Sequence, residues 1–184
     1  MPKKLIGLRL SDDIIQKLET IAHNNNQSVN NVMKNAIIEW LEIFFRVRKQ
    51  GMIILGKSFL SSLLEFTDDE KIKPIAEMTA KRKTDFFLFI LGKQLNKETL
   101  EDFIKFTPKI LGSKGLMWFD HLEITKEESS VYIRGIHNLG ETWSKFMLLF
   151  FKFLIEKNFS LIFNEENFKT TANSLFLEYF LKKK

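Results

Sequence analysis

The chain contains no cysteine, which excludes disulfides, thiolate catalysis and Cys-ligated zinc or iron–sulfur centres. It has no Gly-rich phosphate loop followed by Lys-Ser or Lys-Thr, no HExxH pair and no Gly-x-Gly-x-x-Gly fingerprint. No catalytic pattern emerges, so the expectation is a protein that is not an enzyme and uses no cofactor and no metal. A membrane-length apolar run is also missing. The longest aromatic and apolar stretch, Phe146–Ile155, is interrupted by Lys152 and falls far short of about twenty residues. The start, Met1–Asp13, carries only a short apolar stretch interrupted by Arg9, unlike a secretory signal. These absences lead to the expectation of a cytoplasmic protein with no membrane partner.

What is present is ordinary globular material. Of 184 residues, 45% are hydrophobic and 28% charged, enough for one medium domain or two small ones. The 19 Phe imply a core built largely from that residue. The net charge is +5. Residues 1–50 hold eight Lys/Arg against five Asp/Glu, residues 51–115 eleven against nine, and residues 116–184 nine against nine. The basic excess lies toward the N-terminus and mildly favours a polyanionic partner there.

Lys4–Leu10 alternates, with Ile6, Leu8 and Leu10 on one side and Leu5, Gly7 and Arg9 on the other, the period of a short strand. Ser11 then caps a helix whose first turn holds Asp12 and Asp13, near the positive end of the dipole. Ile14, Ile15, Leu18, Ile21 and Ala22 give its stripe. His23–Gln27 breaks it, with Asn25 or Asn26 suited to a left-handed residue. Ser28 caps a second helix with an apolar face of Val29, Val32, Met33, Ala36, Ile37, Trp40, Leu41 and Phe44, reaching roughly Arg48. Neither a lone strand nor a two-helix hairpin is stable by itself. A two-fold dimer with paired strands and a shared four-helix core answers both needs.

This order of strand, cap, helix, polar break, cap and longer helix over residues 3–48 resembles the ribbon-helix-helix family of Arc, MetJ and CopG-type repressors. The resemblance implies a homodimer, possibly of higher assembly, that binds duplex DNA as a sequence-selective transcriptional regulator. Its ribbon would enter the major groove through Leu5, Gly7 and Arg9, with Arg9 as the reader of guanine. Ser28, Val29 and Asn30, at the start of the second helix, would hold a phosphate, supported by Lys34, Lys3 and Lys4. Two alternatives remain open: an antitoxin-like or scaffold protein using the module for assembly, and an architectural DNA-binding protein of low selectivity.

Behind the module, residues 51–115 read as helical. Met52–Phe66 forms one helix, a second starts at Asp68 with Thr67 as cap and Pro74 inside or dividing it, and Gly92 ends it. Asn96 opens another, with Pro108 as a kink or stop. From 116 the pattern changes. Leu122 and Ile124, then Val131 to Arg134, suggest an antiparallel hairpin whose turn lacks Asn-Gly or Asp-Gly, leaving the register open. Leu139–Glu156 is an aromatic helix, and Phe159–Phe163 and Leu175–Leu181 are candidate strands. The expected class is therefore mainly α with short strands: an N-terminal ribbon-helix-helix module (1–50), a helical linker that extends the dimer (51–115) and a small α+β domain (116–184). The last is the candidate sensor of a small molecule or docking site for a protein.

Three further features carry weaker chemistry. Lys81–Arg82–Lys83 reads as a solvated basic face, with a second phosphate contact as the alternative. His121 and His137 bracket the hairpin, where Asp120, Glu123 or Glu141 could join them around a metal. Gly135-Ile-His-Asn-Leu-Gly140 reads as a strand-to-helix turn capped by Asn138, or else the lining of a pocket.

Overall fold

The computed structural model describes residues 7–49 and 55–181 of the chain. Contacts divide it into two units, Met1–Phe45 and Arg46–Lys184.

The first unit is a pair of helices. Helix α1 (Asp12–Asn24) starts after Ser11, whose hydroxyl donates to the Asp13 carboxylate. Asn26 takes the left-handed conformation, φ 50°, and turns the chain. Ser28 then caps α2 (Val29–Glu39), its Oγ accepting from the Asn31 amide at 3.2 Å. A π-helical turn, Trp40–Phe44, follows and leads into α3 (Phe45–Lys49).

Here the expected ribbon-helix-helix module is overturned. Gly7–Leu10, the described part of the expected strand, adopts no secondary structure, and no strand occurs among the described residues before His121. Residues 1–6 lie outside the described residues. A period of two over seven residues fits any extended segment. A strand also needs a partner edge for its N–H and C=O groups, and none is offered among the described residues. Leu8, expected in a shared core, is 61% exposed. It lines, with Leu10, Ile15, Leu18, Val29, Asn30 and Met33, an open apolar cleft of about 350 Å3. With no ribbon, the duplex-DNA-binding transcriptional regulator loses its structural basis, and so does the strand-paired homodimer. The fold is mainly helical, and among the described residues its strands are confined to residues 121–181.

The second unit carries the core. Helix α4 (Lys57–Glu65) leaves out Leu55, Gly56 and Phe66 of the expected Met52–Phe66, whose first three positions lie outside the described residues. Helix α5 (Asp69–Leu91) has Asp68 rather than Thr67 at its N-cap position and runs unbroken past Pro74. Pro74 is the sixth residue of α5, beyond the first turn, so it removes the N–H that would bond the Glu70 carbonyl. Gly92, at φ 66°, ends α5 in the left-handed conformation. Asn96 builds a capping box with Thr99 around the turn Lys97–Thr99, and α6 (Leu100–Leu111) follows.

Strands β1 (His121–Glu127) and β2 (Ser130–Ile136) form the hairpin, in the register Ile124 opposite Ile133. Its two-residue turn places Glu128 at φ 49°. Helix α7 (Glu141–Phe159) crosses to a second hairpin made of β3 (Leu161–Phe163), β4 (Lys169–Thr170) and β5 (Ser174–Leu181). The candidate strand Phe159–Phe163 is thus the end of a helix followed by a short strand. The antiparallel sheet runs β1-β2-β5-β3. Because β2 takes one edge of β5, β3 and β4 share the other and form one interrupted lane.

Alternation gives the sheet two faces. Leu122, Ile124, Val131, Ile133, Leu175, Leu177 and Tyr179 point inward, where α7 buries Phe150, Phe151, Leu154 and Phe159. Helix α5 packs along α7 and α6 packs against β1. Phe87, Phe103 and Phe159 link the helices through ring contacts of 5.5 and 4.9 Å. The other face of the sheet is turned away from this core.

Candidate interaction surface

Of the residues expected to meet DNA, Lys3, Lys4 and Leu5 lie outside the described residues. Gly7 and Arg9 are exposed on the segment before α1. Ser28 is a helix cap. Val29 and Asn30 share the apolar cleft with Leu8 and Leu10, and Lys34 is exposed on α2. Arg9, Ser28 and Lys34 do not line that cleft.

The outer face of the sheet is the more organised surface. Cross-strand partners share a face, so the register places Glu123, Arg134, Phe176 and Lys169 in one row across four strands. The next row holds Thr125, Tyr132 and Glu178, and the third Glu127, Ser130, Phe180 and Ile162. Tyr132 and Phe176 are diagonal neighbours, their rings 22° from parallel with centroids 6.1 Å apart. The Arg134 guanidinium lies over the Phe176 ring at 5.7 Å and within 3.6 Å of the Glu123 carboxylate. Ile136, Ile162 and Phe180 extend the apolar part of the face and are 53%, 46% and 40% exposed.

On the same face, directly opposite Tyr132, Glu178 is buried and fully engaged. Its Oε2 accepts from the Asn167 side-chain amide at 2.6 Å and from that of Asn164 at 2.7 Å. Burial opposes its charge. The Asn167 and Asn164 amides, then Tyr132 and Ser130, outweigh that and hold the carboxyl below its usual range. Glu178 thereby pins the excursion between β3 and β4. The Asn164 carbonyl side chain closes the same loop by accepting from the Glu166 amide.

His137 is not part of a metal site. It is 2% exposed, its Nε2 lies 2.8 Å from Ser144 Oγ, and Nδ1 accepts from the Leu139 amide. Ser144 Oγ donates to the Thr171 carbonyl at 2.6 Å. With Nδ1 accepting, Nε2 carries the proton and the ring is neutral. Burial lowers its pKa to about 4; Asp120 raises it and Lys57 lowers it. His121 is exposed at the start of β1, and the described residues hold no group of three or more metal-ligating side chains. Asn138 is not the cap of α7 either; that position is Gly140, at φ 86°.

The basic run also divides. Lys81 and Arg82 are exposed, but Lys83 is turned inward, its Nζ 4.1 Å from the Phe86 centroid and 5.1 Å from that of Trp118. Burial lowers its pKa to about 8.

The hairpin pattern at Val131–Arg134 does not by itself say which strand lies beside it, and so leaves the outer face unassembled. The signal was there in Tyr132 and Arg134 on one parity, and in two Asn flanking Glu165 and Glu166. The chain matches no family model, no curated protein and no solved structure.

Proposed function

We propose that the unit Arg46–Lys184 is a recognition module that binds through the outer face of its sheet and performs no catalysis. The observation that carries this reading is the Tyr132–Phe176 platform, with Arg134 over one ring and exposed Ile136, Ile162 and Phe180 beside it. A solvent-facing sheet surface is ordinarily polar, and a cluster of aromatic and aliphatic side chains there marks a contact surface. The platform is held in place from the side, because Glu178 bonds to Tyr132 and to the β3–β4 loop. Binding without catalysis is supported by the commitments of His137 and Glu178, whose hydrogen-bonding groups are used within the fold.

The test is NMR of the full chain with indole, phenol and adenosine as probes. Shifts should concentrate at Tyr132, Arg134 and Phe176 and disappear in Phe176→Leu, a variant that keeps the apolar volume and removes the ring. Probes that leave those three residues unperturbed would overturn the reading.

A further inference from the structure

We propose that the outer face of the sheet takes a basic amphipathic α-helix of a protein partner, laid along the strands. The inference rests on the reading of that face as the recognition surface and names its partner. The apolar side chains of the face are not scattered over its strands. By the register, Ile136 is diagonal to Phe176, Phe176 to Tyr132, and Tyr132 to Phe180. They climb the β2–β5 pair as one ridge, and Ile162 widens its end beside Phe180. Ile136 stands opposite Ser174, six positions before Phe180, which makes the ridge about 20 Å long. An α-helix of about fourteen residues has that length.

The width also points to a helix. The columns on either side are polar, with His121, Glu123, Thr125 and Glu127 on β1 and Lys169 on β4. For most of its length the ridge is two strands wide, roughly 10 Å, against about 10–12 Å for a helix with its side chains. A partner sheet would cover the flanking charges too and take them out of water. The inner face shows that this sheet accepts a helix, since α7 buries Phe150, Phe151 and Leu154 there. Charge sets the pattern of the partner. The face holds Glu123, Glu127 and Glu178 against Arg134 and Lys169. Glu178 is engaged by Asn164 and Asn167, and Arg134 is held beside Glu123. The β1 flank is therefore acidic, with Glu127 in no ion pair among the described residues. The helix that fits has an apolar stripe at i, i+3, i+4 and i+7, with Lys or Arg on the side that meets β1.

The experiment is fluorescence anisotropy of three labelled, end-capped peptides of about fourteen residues against the full chain. One has a leucine stripe at that spacing and lysines elsewhere. The second replaces the lysines with glutamates. The third has the composition of the first with the stripe scrambled. The striped lysine peptide should bind tightest, the glutamate peptide about threefold or more weaker at low salt, and the scrambled one least. Phe180→Ser and Ile136→Ser, at exposed positions on opposite ends of the ridge, should each weaken binding about fivefold or more. Glu127→Lys should narrow the preference for lysine. An unchanged thermal midpoint shows that each variant is folded. Scrambled and striped peptides bound alike would overturn the helical partner, and so would binding untouched by both ridge variants. A preference for the glutamate peptide would overturn its basic character. Should no peptide bind while indole still shifts Tyr132 and Phe176, the partner is not such a helix but the recognition surface stands. Failure of both removes the surface as well.

Discussion

In the N-terminal helix pair, Ala22 is the one buried residue among those described from 7 to 45, and Leu8, Ile37, Trp40 and Leu41 are 61%, 49%, 44% and 56% exposed. In the unit from Arg46 onward, Phe87, Phe103, Phe119, Phe150, Phe151 and Phe159 are all buried at 2% exposure or less. Both regions have periodic apolar residues and well-formed helix caps. They differ in what lies opposite the apolar stripe. A helix gains little from its stripe unless another surface removes it from water, at roughly 25 cal/mol per Å2 buried. Helix α7 has that on several sides; α1 and α2 share a cleft that stays open.

That contrast can be broken by experiment. The largest effect is expected at Phe103, which touches the rings of Phe87 and Phe159. Phe103→Ala should cost about 3–5 kcal/mol in urea unfolding followed through Trp118 and Trp143. A cost below about 1 kcal/mol would mean that the core is far looser than its ring contacts imply.

Acidification comes next. The folded His137 holds a pKa of about 4 against an ordinary 6.5, so its contribution is fully present above pH 6.5 and is lost as pH falls toward 4. That loss amounts to up to about 3 kcal/mol. Urea midpoints between pH 7 and 4.5 should fall, and His137→Gln should flatten the slope. A wild-type protein whose stability holds steady over that range would contradict the buried neutral ring.

Gly135→Ala should cost about 1–3 kcal/mol, because its new methyl would meet the buried Phe119 ring at 2.5 Å. A midpoint unchanged in thermal unfolding would show that the ring can yield. A smaller change of opposite sign is expected at Tyr179, whose buried hydroxyl has no hydrogen-bond partner among the described residues. Tyr179→Phe should raise stability by about 1 kcal/mol or less, and a loss would reveal a bond to that oxygen. Smallest of all is Leu41→Ala, at under about 0.5 kcal/mol, because Leu41 is exposed. A cost at Leu41 rivalling that at Phe103 would dissolve the distinction between the two units.

Local signals in the sequence were legible. Ser28 as a cap, Asn25 or Asn26 as a left-handed residue (it is Asn26) and Gly92 as a helix end each follow from the chemistry of one or two residues. So does the hairpin around Glu128, where alternation extends far enough to define two faces. That Gly7–Leu10 forms no strand was not legible, because Leu8 and Leu10 satisfy a strand period and the wall of a helical cleft equally well. The platform was hidden for a different reason. Phe176 and Arg134 are more than forty positions apart, and only the β2–β5 register puts them side by side. Lys83 reads as one of three solvated cations until α5 is wound and its third member turns toward Phe86.

The bond from Glu178 to Asn164 and Asn167 also governs how the sheet ends. A sheet edge of unbroken, unpaired N–H and C=O groups is a template for the next chain and a route to aggregation. Here the lane beside β5 is divided into a three-residue piece, Leu161–Phe163, and a two-residue piece, Lys169–Thr170, by the loop that Glu178 holds. Neither piece is long enough to register an incoming strand. The opposite edge, β1, carries Glu123, Lys126 and Glu127. Releasing the loop would lengthen an adhesive edge, so this carboxylate bears on solubility as much as on the shape of the recognition face.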